Sequence, residues 1–204
     1  MASHLRYLIR ASLVAMVLGQ AAFAETLVVP PIPHVLRVPA GNIPFLKGHA
    51  IGTQNYVCLP SATGFAWTFF APQATLFITI EFSGRTIQQQ ITTHFLSPNP
   101  NENGTPRPTW QSSVDSSAVW GRSIMSSNDS NFVAPGAIPW LLLQVVGTRT
   151  GPTGGSFFTQ TTFIHRLNTS GGIAPLAGCS STADVGAIAL VPYTADYFFY
   201  KASH

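Results

Sequence analysis

The sequence predicts an all-β fold: an antiparallel β-sandwich or flattened barrel of about eight short strands with long loops. Three observations predict it. Proline and glycine, 16 and 17 of 204 residues, cut the chain into pieces too short for long helices. Several of those pieces alternate apolar and polar residues with a period of two. No helical spacers separate them, as an α/β fold would require.

Residues 1–24 have the three-part layout of a secretory signal peptide. Arg6 and Arg10 supply the positive region, 11–18 the apolar run, and Ala22-Phe23-Ala24 the small-x-small cleavage site. The cut is expected after Ala24. The apolar run is shorter than the roughly 20 residues a spanning helix needs. Later apolar stretches are broken by Pro, Gln and Gly. No transmembrane anchor is therefore expected after cleavage, and the expected location is secreted or periplasmic. Residues 25–44 carry Pro30, Pro31, Pro33, Pro39 and Pro44 and are expected to run extended across the surface. Residues 45–204 are expected to form a single β domain.

The clearest strand is 75–82. Leu76, Ile78, Ile80 and Phe82 point one way, Thr75, Thr79 and Glu81 the other. After the turn residues Ser83-Gly84, 87–95 alternates again, with Ile87, Ile91 and Phe95 opposite Gln88, Gln90, Thr92 and His94. The two read as a hairpin with one wet face. Further strands are expected over 49–59, 65–70, 138–146, 157–167, 186–191 and 197–201. Segment 138–146 is apolar almost throughout, which fits a central strand covered on both sides or a buried helical turn. Segment 97–122 opens Ser-Pro-Asn-Pro-Asn-Glu-Asn-Gly-Thr-Pro and is expected to be a long surface loop beside the hairpin, of the kind that is functional or mobile.

The formal charge of +3 falls to +1 once Arg6 and Arg10 leave with the signal. The remaining basic residues are scattered, so no phosphate-tracking run exists and nucleic acid is not an expected partner. Charged residues make up 8% of the chain, and Thr, Ser, Asn and Gln fill much of the rest of the surface, a balance that suits extracellular β proteins. Cys58 and Cys179 allow only one pairing, and such a bridge belongs to an oxidising compartment. Closing so long a loop is worth roughly 4–5 kcal/mol by chain entropy. Neither cysteine has a CxxC partner or a nearby His, which disfavours a metal site or a catalytic thiol.

Candidate chemistry is sparse. His94 lies on the polar face of its strand, and Asp115 and Trp110 follow in the adjoining loop. A His94–Asp115 pair could serve as general acid and base if the two side chains meet. Otherwise His94 bonds a loop carbonyl and Asp115 caps a turn through Ser117. No G-x-S-x-G elbow occurs. His34, His49, His94 and His165 show no metal-ligand spacing, so no metal is expected, and the pair His165-Arg166 is expected to face solvent. Trp110 and Trp120, in a polar loop, are candidates to stack on sugar rings, while Trp140 and Phe198 are expected in the core.

Several runs, in order, carry a family resemblance. They are Gly52-Thr53-Gln54-Asn55-Tyr56-Val57-Cys58, Trp67, Pro72-Gln73-Ala74-Thr75-Leu76, His94, Trp110, Asp115-Ser116-Ser117 and Ile138-Pro139-Trp140-Leu141-Leu142-Leu143. Arg166-Leu167-Asn168-Thr169-Ser170-Gly171-Gly172, Cys179 and Val191-Pro192-Tyr193-Thr194-Ala195-Asp196-Tyr197-Phe198-Phe199-Tyr200 complete them. The chain resembles the secreted family known as domain of unknown function 3455. It departs from that pattern where 97–109 is inserted after His94 and where Gln111 stands in place of a common acid. The resemblance implies export and a shared fold but no activity. Some members bear a malate dehydrogenase label, but a dinucleotide site needs G-x-G-x-x-G between a strand and a helix. The stretch 147–155 lacks that spacing, and Pro152 would break the helix. No cofactor is expected.

The leading expectation is a non-enzymatic module that binds a glycan or cell-envelope ligand through His94, Trp110, Asp115 and Trp120. The competing readings are an extracellular hydrolase using His94 and Asp115, and a structural envelope protein.

Overall fold

The computed structural model describes residues 27–203; the signal sequence expected over 1–24 lies outside them. Eight strands follow one another as β1 (Asn42–Ser61), β2 (Gly64–Phe82), β3 (Arg85–Asn99), β4 (Thr105–Ser112), β5 (Ala118–Ser127), β6 (Trp140–Arg149), β7 (Thr161–Gly171) and β8 (Ile188–Ala202). Each pairs antiparallel with the next, and β8 pairs with β1. The sheet is thus a closed up-and-down barrel with no free edge. Of the two all-β architectures expected, the barrel is the one formed.

The barrel encloses one core and carries a second on its outer face. Inward positions supply Ala50, Leu76, Trp110, Val119, Leu143, Ile164, Tyr197 and Phe199. Phe158, from the β6–β7 connection, packs on Phe199 with ring centroids 4.9 Å apart and closes the end of the barrel where β6 finishes. Gly52 lets β1 lie close to β2, since a Cβ there would collide with Ala74.

The second core explains the continuous apolarity of 138–146. Leu141 and Leu143 point inward, while Trp140 and Leu142 point outward to meet Leu167, Phe198 and Tyr200. The segment before β1 covers them. It does not merely run over the surface: a 3-10 turn at His34–Leu36 buries Leu36 completely in this outer core. His165 is likewise buried rather than solvent-facing. Its Nε2–H donates to the Leu36 carbonyl at 2.7 Å and its Nδ1 accepts from the Tyr200 hydroxyl at 2.9 Å.

The long loop expected over 97–122 is not there. That stretch completes β3, makes a tight hairpin turn, and then forms β4 and the start of β5. The β3–β4 turn begins with a 3-10 turn at Pro100–Glu102 capped by the Asn99 side chain, and a second turn between Ser112 and Ala118 joins β4 to β5. Pro98 and Pro106 pair with one another across the hairpin, so their missing N–H groups fall together in the ladder. The Glu102 carboxylate accepts from Arg107 Nε at 2.8 Å and Nη2 at 2.9 Å, bracing the turn.

Candidate functional site

Strand phase decides which side chains can meet. Pairing of β2 with β3 slips between Leu76 and Phe77, leaving Ile91 as an extra residue. The bulge turns His94 inward, away from the wet face that carries Gln88 and Gln90. His94 is opposite Ala74 on one side and Trp110 on the other. Its ring stacks on the Trp110 indole, centroids 4.3 Å apart and 11° from parallel, and lies 5.2 Å from the Tyr197 ring. Nδ1–H donates to the Thr109 carbonyl at 2.9 Å, which leaves Nε2 with its lone pair. Burial drives the imidazole pKa down to about 3, outweighing the Thr109 bond, and the nearby Arg166 charge lowers it further.

Trp110 and Trp120 sit on opposite faces of the sheet. The register sets Trp110 against Val119 and Thr109 against Trp120, so Trp110 is inside the barrel and Trp120 outside. Neither offers an open ring face: Trp110 is 0% and Trp120 3% exposed. Trp120 Nε1 donates to the Ser97 hydroxyl at 3.0 Å, and Arg149 stands over its ring.

Asp115 lies in the β4–β5 turn, at the far end of the barrel, and does what a turn carboxylate does. Oδ1 accepts from the Ser117 amide at 3.0 Å and hydroxyl at 2.7 Å, and Oδ2 accepts from the Phe157 amide at 2.9 Å. Burial would raise its pKa, but these donors outweigh it and hold the carboxyl at about 2. No hydrogen bond joins Asp115 to His94, and the two line no common cavity. The competing His94–Asp115 acid–base pair is not assembled; His94 bonds a carbonyl and Asp115 caps its turn through Ser117, the other arrangement read from the sequence. Among the described residues, no group of three or more His, Cys, Asp or Glu side chains is placed to hold a metal.

The structure brings His94 and Trp110 to a different feature, a cavity of about 270 Å³ in the mouth of the barrel. Barrel mouths are a common place for small-molecule sites. Tyr56, Phe69, Pro72, Pro108, Pro139 and Leu141 form its apolar walls. Gln54, His94, Arg166 and Tyr197 supply the polar groups. Gln54 Nε2 and Trp110 Nε1 are buried N–H donors with no hydrogen-bond partner. The Arg166 guanidinium is steered by the Pro139 carbonyl, which accepts from Nε at 3.2 Å and Nη2 at 2.9 Å. No carboxylate among the described residues lies within ion-pair distance of it. Arg166, expected at the solvent with His165, and Gln54, seen in the sequence only within a family run, line the cavity because strand phase turns both inward.

The rim of the mouth is built by connections that the disulfide helps to hold. Cys58 and Cys179 are bonded, Cα atoms 5.5 Å apart, joining the end of β1 to the β7–β8 connection. Trp67 Nε1 donates to the Ala177 carbonyl at 2.9 Å and the Tyr56 hydroxyl to the Gly172 carbonyl at 2.6 Å, both pinning the same connection. Ile138, on the cavity wall, donates its amide to the Gly171 carbonyl at 2.9 Å.

Fold and site together define a disulfide-bonded, closed antiparallel barrel with a polar-spotted cavity at one end. The chain belongs to the family described as Protein of unknown function (DUF3455), whose sequence profile matches residues 39–201. No curated protein and no solved structure matches the chain.

Proposed function

We propose that this barrel is exported and binds a small molecule in its mouth cavity. The observation that carries the reading is the cavity itself: about 270 Å³ at the end of a closed barrel, with the Arg166 guanidinium on its lining and no described carboxylate within ion-pair distance of it. A mostly apolar wall with a few convergent polar groups is the make-up of small-molecule sites. The disulfide supports export, because such bridges persist outside the reducing cytoplasm. Among the described residues no helix is long and apolar enough to cross a membrane.

A glycan or cell-envelope ligand, the partner class suggested by the tryptophans, would have to present a small group to this same mouth. Trp110 and Trp120 are both covered and give no stacking platform at the surface.

A fragment screen by thermal shift on the mature protein tests the reading. Fragments that stabilise the wild type are expected to lose their effect in Leu141→Trp, which fills the cavity from its wall. Stabilisation that persists unchanged in that variant would place binding elsewhere.

A further inference from the structure

We infer that the mouth cavity takes a small aromatic carboxylate, with the carboxylate on Arg166 and the ring among the flat walls. The inference rests on the proposed ligand-binding role of this cavity and adds the class of ligand.

Three observations carry it. The first is charge. Arg166 is the one ionic group lining the cavity, whose described lining residues include no Asp or Glu. All three ion pairs among the described residues lie elsewhere, at Lys47–Asp196, His49–Asp196 and Arg107–Glu102. An arginine fixed by a carbonyl keeps a full positive charge and remaining N–H donors that a carboxylate oxygen can accept.

The second is the donor balance. Arg166 supplies charged donors, and the other polar lining residues, Gln54, His94 and Tyr197, bring no carboxylate to compete for them. A group with several acceptor lone pairs and negative charge answers that set; a neutral hydroxyl answers it poorly.

The third is shape. At about 270 Å³ the cavity is near the small end of ligand sites, about 300 Å³ and upward, which suits one ring and a short acid arm. Tyr56 and Phe69 meet edge-on at 5.7 Å, and Pro72, Pro108 and Pro139 offer flat apolar faces. Aromatic rings favour such edge and offset contacts.

Isothermal titration of the mature protein with benzoate, phenylacetate and cinnamate, each beside its carboxamide, tests the inference. At least one carboxylate is expected to bind at least tenfold more tightly than its carboxamide. That preference is expected to vanish in Arg166→Gln and to be kept in part in Arg166→Lys. The comparison of acid with amide uses wild-type protein, so it stands even if a variant fails to fold. Equal binding of acids and amides, blocked by Leu141→Trp, would overturn the anion assignment while leaving the cavity reading in place. No binding of any probe, with no fragment acting through the cavity, would overturn both.

Discussion

His94 and Trp110 stack nearly parallel inside the barrel, although sixteen positions separate them and one was expected on a wet face. The contact follows from the β3–β4 register, which sets the two directly opposite. Burial at that contact holds the imidazole neutral far below the ordinary histidine range.

Acid should therefore cost stability through His94. An unfolded histidine takes a proton near pH 6.5, whereas the folded one resists until about pH 3. Between those values the unfolded chain holds the extra proton, so stability falls as pH falls, by about 3 kcal/mol by pH 4. In His94→Phe that component of the acid limb should disappear in urea melts taken across the range. An NMR titration should show the His94 ring unprotonated down to pH 4.5.

Asp115 should matter to the fold and not to the cavity. Asp115→Ala removes an acceptor shared by Ser117 and Phe157, so a loss of about 1–3 kcal/mol is expected in chemical denaturation. Fragment affinities should stay within twofold of wild type. A large loss of binding in a folded Asp115→Ala protein would reopen a joint role with His94.

Leu36 should be as important as an interior residue, although it precedes the first strand. It is fully buried against Trp140, Leu142 and Leu167, so Leu36→Ala is expected to cost about 2–5 kcal/mol in thermal or urea unfolding. A cost below 0.5 kcal/mol would mean that the outer core does not hold the segment in place.

Reducing the Cys58–Cys179 bridge should loosen the rim first. Hydrogen exchange is expected to accelerate over 173–187 before the barrel strands, and overall stability to drop by up to roughly 4–5 kcal/mol. Unchanged exchange over that connection would show that Trp67 and Tyr56 hold it unaided.

How legible each part was depends on whether the signal was local. Periodicity in 75–82 reflects one wet and one dry face, and the structure keeps it at the start, where Leu76 is buried and Ile78 packs on the inner core, but not at Ile80, which is exposed. The unbroken apolarity of 138–146 left a doubly covered strand and a buried helical turn open, and the strand between two cores is the one formed. Residues 97–122 misled because Pro98, Pro106 and Pro108 look like strand breakers, yet sit in β3 and β4. The orientation of His94 misled because one bulged residue, Ile91, inverts the phase that alternation alone would extend. Gln54 and Arg166 are brought to one cavity by closure of the barrel through β8, a juxtaposition that no short motif encodes.

The indole N–H resonances separate the cavity from every other place a ligand could sit. In a nitrogen-edited NMR spectrum of the mature protein, titrated with a fragment or carboxylate that binds, the Trp110 signal should move with saturation. The Trp120 signal, hydrogen-bonded to Ser97 on the outer face, should stay where it is. Movement of Trp120 with Trp110 unmoved would contradict binding in the barrel mouth.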